Sequence, residues 1–157
     1  MPEIEIDLPI TGSCQCGQVR YRASERPRAS LACHCRECQK LSASAFSTVL
    51  VFRAGAVVFE GTLATWERTS ESGRRNVAHF CPTCGNRIYH FDPDMPGVVR
   101  VKSGTLDSAP IPAPQVNQWV YRKPEWVLLD REVPVWSEGM TPEARKRLTG
   151  FGFRPRD

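Results

Sequence analysis

Seven cysteines fall into two groups, and the types and spacing of their neighbours define the chemistry open to each. Cys33-His34-Cys35-Arg36-Glu37-Cys38 carries three of them. Cys33 and Cys35 share a face if the chain is extended there, and Cys35 and Cys38 share one if a helical turn begins at Arg36. A strand running into a helix thus gathers three sulfurs around one point. Three protein ligands leave Zn²⁺ one open position, which is the arrangement of catalytic zinc. Such an ion polarises a carbonyl oxygen or holds an incoming thiol as thiolate, and either role favours adding sulfur to an aldehyde. Three thiolates make the ion a weaker acid than a three-histidine site does, so a soft sulfur is its natural fourth partner. A histidine is the rival fourth ligand. His34 alternates away from Cys33 and Cys35 in an extended segment, and His79 and His90 have no spacing that marks them as ligands. Cys35-x-x-Cys38 also has redox-pair spacing, but the βαβ setting of a thioredoxin-type motif is absent.

The remaining cysteines form two knuckles, Cys14-Gln15-Cys16-Gly17 and Cys81-Pro82-Thr83-Cys84-Gly85. A trailing glycine lets the backbone curl around a metal, because it accepts positive φ where a side chain would clash. Four thiolates make a closed tetrahedral zinc site of the structural kind. As free thiols the same residues would pack as small apolar side chains. Two knuckles of matching build favour the metal.

Elements must hold these groups in place, and they read mostly as strands. Val19 and Tyr21 share one face of Gln18–Arg22, and Phe46–Phe52 is a more deeply buried run. Ala56–Phe59, Leu63–Arg68, Asn76–Phe80, Arg87–Phe91 and Val98–Lys102 follow, divided at short intervals by Gly55, Gly61, Gly73, Gly85 and the segment from Pro93 to Gly97. This pattern predicts a compact, mainly antiparallel β domain and not βαβ units. Two short helices accompany it, one over Arg36–Leu41 and one starting at Thr141 with Pro142 in the first turn, stopped at Gly150. The proline-bearing stretch from Asp107 to Pro114 reads as an extended surface segment, so the chain of 157 residues is expected to be one domain, with a C-terminal helix and tail over 141–157.

Glu3, Glu5 and Asp7 occupy the region where a secretory signal needs a cationic start, and no apolar stretch approaches the ~20 residues of a membrane span. A cytoplasmic location is expected, where clustered cysteines bind metal more often than they form disulfides. The formal charge of +4 invites a nucleic-acid reading. Two zinc ions add four charges and seven thiolates remove seven, so the loaded chain carries +1. What remains is local: Arg74-Arg75, and a run of Arg145, Lys146, Arg147, Arg154 and Arg156 that reads as a solvated helix face and tail. Nucleic acid is not the expected partner.

Gly12-Ser13-Cys14-Gln15-Cys16-Gly17, Cys33-His34-Cys35-Arg36-Glu37-Cys38-Gln39-Lys40 and Phe80-Cys81-Pro82-Thr83-Cys84-Gly85 together resemble the glutathione-dependent formaldehyde-activating enzyme family, which includes centromere protein V. The resemblance covers roughly residues 10–130, with weaker support from Ser103–Asp107 and Trp119–Val127. It implies a β-tent fold of antiparallel sheets, a structural zinc on Cys14, Cys16, Cys81 and Cys84, and a catalytic zinc on Cys33, Cys35 and Cys38. It implies condensation of formaldehyde with glutathione to S-hydroxymethylglutathione, in reverse a carbon–sulfur lyase reaction. Two positions depart from the family pattern: alanine stands within Leu41-Ser42-Ala43-Ser44-Ala45-Phe46 where relatives carry glycine, and Asn117 where many carry histidine. A glutathione-like ligand needs cations for its carboxylates, and Arg36, Lys40 and Arg87 lie near the cysteine motifs in sequence. Trp66, Trp119 and Trp126 are expected in the core, with a pocket wall as the other role. The alternative to a small-molecule enzyme acting on a thiol and an aldehyde is a non-catalytic, zinc-stabilised module that binds a protein or nucleic acid.

Overall fold

A computed structural model describes residues 3–151. Its elements are β1 (Ile10–Ser13), β2 (Arg20–Ala23), β3 (Ala29–Cys33), α1 (Arg36–Ser42), β4 (Ser47–Arg53) and β5 (Val57–Glu60). They continue as β6 (Ala64–Thr69), β7 (Arg75–Phe80), β8 (Arg87–Phe91), β9 (Val98–Lys102), β10 (Val116–Gln118), β11 (Val135–Trp136) and α2 (Pro142–Thr149). The chain is mainly β with two short helices, as its punctuation predicts. One sheet has the order β1-β2-β5, and the other has the order β11-β10-β3-β4-β9-β8-β7-β6.

The large sheet is apolar on both faces near its centre, and strand alternation sorts its side chains between two cores. Leu50 and Phe52 of β4 and Val99 and Val101 of β9 face the small sheet, where they pack with Ile10, Val19, Tyr21 and Ile88. Val49, Val51 and Val98 face the other way and pack with Ala29, Leu31, Val116, Met140 and Ala144, the last from α2. Arg100, two residues on from Val98 in β9, shares this second face. Each fully buried Val or Leu stabilises the fold by about 1.5–3 kcal/mol, so both faces contribute.

Pairing is antiparallel except at β10, which runs parallel to both β3 and β11. This departs from a purely antiparallel layout, and its cause is the proline-bearing segment after β9. That segment is tied to β1 by Asp107 N–H donating to Thr11 O at 2.9 Å and to β3 by Gln115 N–H donating to Ser30 O at 2.8 Å. It therefore returns the chain to the start of β3 before β10 begins.

The expected tryptophan core is not observed. Trp66 is 49% exposed beneath Arg87, Trp126 is 75% exposed, and Trp119 is half-buried with φ 61°. The tail residues Arg154 and Arg156 lie outside the described residues. Among the described residues, no helix is long and apolar enough to cross a membrane.

Candidate metal centre and its cavity

The four-cysteine group sits where the two sheets meet. Cys14 follows β1 and Cys81 follows β7, and each opens a turn closed by a glycine with φ 76°, Gly17 and Gly85. Gly17 N–H donates to Cys14 O at 3.0 Å and Gly85 N–H to Cys81 O at 2.8 Å, so each knuckle closes on its first cysteine, the second through a turn one residue longer. All four sulfurs lie within 4.8 Å of one another, with Cys14–Cys16 at 3.5 Å and Cys16–Cys81 at 3.7 Å. A tetrahedron with ~2.3 Å arms has edges of ~3.8 Å, so the group fits Zn²⁺. Val19 N–H donates to the Cys14 sulfur at 3.3 Å and Gln18 Nε2 to the Cys81 sulfur at 3.2 Å. Burial would raise the Cys81 pKa, but N–H groups of Cys84 and Thr83 and the Gln18 amide outweigh it and hold the thiol down at about 6. These bonds favour the thiolate that a metal requires.

Cys33, Cys35 and Cys38 form the second group, their sulfurs also within 4.8 Å of one another. β3 delivers Cys33 at its last residue, and Cys35 caps α1, its sulfur accepting from Cys38 N–H at 3.4 Å. The strand-into-helix arrangement expected from spacing is what the fold provides. Bonds from Cys33 and Cys38 hold the Cys35 pKa down at about 2, while bonds from Cys35 and Cys38 push Cys33 up. One sulfur thus carries charge that the other two stabilise.

His34 and His79 have partners outside the sulfur group. His34 is fully buried, and its Nε2 pairs with Asn117 Oδ1 at 2.9 Å. Asn117 therefore holds His34 in place. Gln39 locks the same backbone, its Nε2 donating to His34 O at 2.8 Å and to Arg122 O at 3.0 Å. His79 stacks on Tyr89 with ring centroids 4.2 Å apart. Among the described residues, the second group contains three candidate ligands and the first contains four.

The three sulfurs open into a cavity of about 610 Å³ on the α2 side of the large sheet. Its walls include Arg68, Arg74, Arg100, Lys102 and Arg145, with Trp119 at one side. Lys102 donates to Ser47 Oγ at 3.1 Å; burial lowers its pKa, and the charges of Cys38 and Cys33 oppose that shift. Burial, then Lys102 and Arg100, push His90 well below the ordinary histidine range, so it lines the cavity as a neutral ring.

Of the three cations named from sequence, Arg36 and Lys40 lie on the exposed face of α1, and Arg36 bonds to Gln39. Arg87 sits over Trp66 and Phe80 and lines a different depression beside Cys84. None of the three lines the cavity next to Cys33, Cys35 and Cys38. The cations that do were missed because Val-Val-Arg-Val-Lys reads as a strand with a solvated face. Arg145 likewise belongs to a run read as solvated, yet it is turned inward while Lys146 and Arg147 are exposed.

The family model for the glutathione-dependent formaldehyde-activating enzyme matches residues 9–122. The chain belongs to that family. A Halomonas elongata protein that carries, by name only, the description of glutathione-dependent formaldehyde-activating enzyme is 30% identical over 130 residues, covering 77% of this chain and 81% of its own. A crystal structure of a Rhodobacter sphaeroides protein superposes with a TM-score of 0.51 at 18% identity, over 64% of this chain and 90% of that one. That likeness concerns the fold alone. Both cysteine groups fall within the family match, whereas α2 and Arg145 lie beyond it.

Proposed function

We propose that this family member is a zinc-dependent carbon–sulfur lyase of the S-hydroxymethylglutathione synthase type. It joins a small thiol, glutathione or one like it, to formaldehyde or a related aldehyde. The observation that carries this reading is a group of three cysteine sulfurs opening into a cavity, while a separate group of four sits at the junction of the sheets. Cys14, Cys16, Cys81 and Cys84 would hold a structural ion, and Cys33, Cys35 and Cys38 a catalytic one. When bound at the second group, zinc supplies a soft Lewis acid that favours thiolate over thiol.

The chain's own residues account for the rest. A carbon–sulfur bond forms between thiol and aldehyde carbon, and the thiol proton ends on the aldehyde oxygen, so the reaction needs no oxidant or further reactant. Lys102, held by Ser47, places a half-buried ammonium beside the sulfurs, where it stabilises charge developing on that oxygen. Neutral His90 adds no competing cation. Gln39, His34 and Asn117 form a buried chain of hydrogen bonds that fixes the turn between Cys33 and Cys35, so the sulfurs are presented without a search through conformers.

Zinc-loaded protein with glutathione and ¹³C-formaldehyde, followed by exchange NMR, tests the reading after uncatalysed addition is subtracted. Exchange faster than the uncatalysed rate for wild type and lost in Cys35→Ser supports it. Equal exchange by the two proteins removes it.

A further inference from the structure

The cavity end remote from the sulfurs concentrates positive charge to a degree that the reaction itself does not require. Arg100 projects from β9 and is only 8% exposed, yet it lines the cavity. Arg145 enters from α2 above it. Neither guanidinium makes a hydrogen bond or ion pair among the described residues. Arg74 stands beside them with its Nε 3.3 Å from Asp92 Oδ2 and its Nη2 3.0 Å from Met95 Sδ. Asp92 is itself engaged by Asp94 N–H at 3.0 Å. Asp92 thus stands among these guanidiniums, while the carboxylates of Glu71 and Glu138 also line the cavity. Burial, then Arg74, brings the Arg100 pKa down to about 10, and burial, Arg74 and Arg100 bring Arg145 down to about 9. Buried charges are ordinarily paired, so Arg100 and Arg145 are placed to take an anion from a ligand.

We infer that Arg100 and Arg145, with Arg74 and Asp92 beside them, form a carboxylate-recognition site that selects acid-bearing ligands for the cavity shared with Cys33, Cys35 and Cys38. A planar guanidinium pairs with a carboxylate through two parallel bonds, which suits this donor set to a carboxylate. Register fixes how far that carboxylate lies from the reacting sulfur. Cys33 pairs with Ser47 and Arg100 pairs with Val51 across neighbouring strands. At ~3.3 Å per residue and ~4.8 Å per strand gap, their Cα atoms lie roughly 16 Å apart. The two side chains close part of that gap, and an extended tripeptide spans at most about 10 Å of it. A ligand with its thiol near Cys35 and a carboxylate at the far end of a short peptide bridges the two regions. The inference rests on the thiol reading for the sulfur end only; the carboxylate end stands on the arginines.

Calorimetry on the zinc-loaded full chain tests it with three probes: glutathione, its diethyl ester, and γ-glutamyl-2-aminobutyryl-glycine, the acid without sulfur. Wild type is expected to bind glutathione about tenfold or more tightly than the ester, as loss of a charge-assisted pair predicts. Arg145→Gln is expected to bring acid and ester within a factor of about two, and Arg145→Lys to recover part of the difference. Equal binding of acid and ester by wild type overturns the inference, as does an undiminished ratio in both Arg145→Gln and Arg100→Gln. Should either variant fail to fold, the acid-to-ester ratio of wild type decides alone. The sulfur-free acid separates the two claims: arginine-dependent binding of it by a protein that does not accelerate thiol addition upholds the carboxylate site and removes the enzymatic reading. Acceleration with acid and ester alike upholds that reading and removes the site.

Discussion

The two cysteine groups use one ligand type to opposite ends. The first is made by two turns each closed by a glycine at φ 76°, and it joins residues 14 and 84, far apart in the chain, at the junction of two sheets. The second is made by a strand end, a helix cap two residues on and the first turn of that helix, and it lies on a cavity wall. An ion on a group that spans half the chain would hold the fold together, because it would be lost only when the sheets part. A local group can lose its ion with the fold intact, so it is free to be chemical.

That contrast breaks first at Cys81. Cys81→Ser is expected to unfold the domain or remove several kcal/mol of stability, since structural zinc contributes on the order of 10 kcal/mol to folding. Thermal unfolding followed by circular dichroism reads it directly. Cys35→Ser should do the reverse: stability within ~1 kcal/mol of wild type at equal zinc in the first group, with thiol addition reduced to the uncatalysed rate. If both variants lose stability equally, the groups do not differ in kind. Asn117→Ala sharpens the comparison at smaller scale. It leaves the buried His34 ring without its partner and is expected to cost about 2 kcal/mol in urea unfolding, with zinc content unchanged, because neither residue is a ligand. A drop to one zinc would place His34 or Asn117 in the metal site instead.

A pH comparison addresses the cavity. His90 is held neutral in the folded state by burial and by Lys102 and Arg100, so its folded pKa lies below the unfolded value of ~6.5. The stability it contributes is present above that value and lost as pH falls through it, because the unfolded chain then takes up the proton first. His90→Gln should therefore lose less stability than wild type between pH 7 and pH 5. Identical slopes would show that His90 titrates freely. The smallest effect belongs to Ala43, which closes α1 at φ 48°, ψ 39°. Glycine accepts that conformation without steric cost, and Ala43→Gly is expected to gain about 1 kcal/mol or less.

Local signals carried most of the fold. Arg87–Phe91 and Val98–Lys102 form strands with the boundaries expected from alternation. Thr141, Pro142 and Gly150 all act as their types predict: Thr141 Oγ1 accepts from Ala144 N–H at 3.2 Å, Pro142 opens the helix, and Gly150 closes it at φ 74°. Both cysteine groups were likewise legible, because a knuckle and a strand-to-helix turn are each written within a few residues. What stayed hidden depends on distant partners. β10 is three residues long and is a strand only because β3 and β11 flank it. Arg100 reads as a solvent-facing residue of an alternating strand, and nothing near it in sequence announces that α2 will cover that face. Arg145 differs from Lys146 and Arg147 only in helix phase, and phase acquires meaning once the helix has something to pack on.

Zinc content together with zinc X-ray absorption on the purified protein tests the central asymmetry most directly. The account predicts two ions per chain, one with four sulfur neighbours at ~2.3 Å and one with three sulfurs and a light atom from solvent, converting to four sulfurs when glutathione is added. A histidine nitrogen completing the second site, or a single ion per chain under zinc-replete conditions, would contradict it.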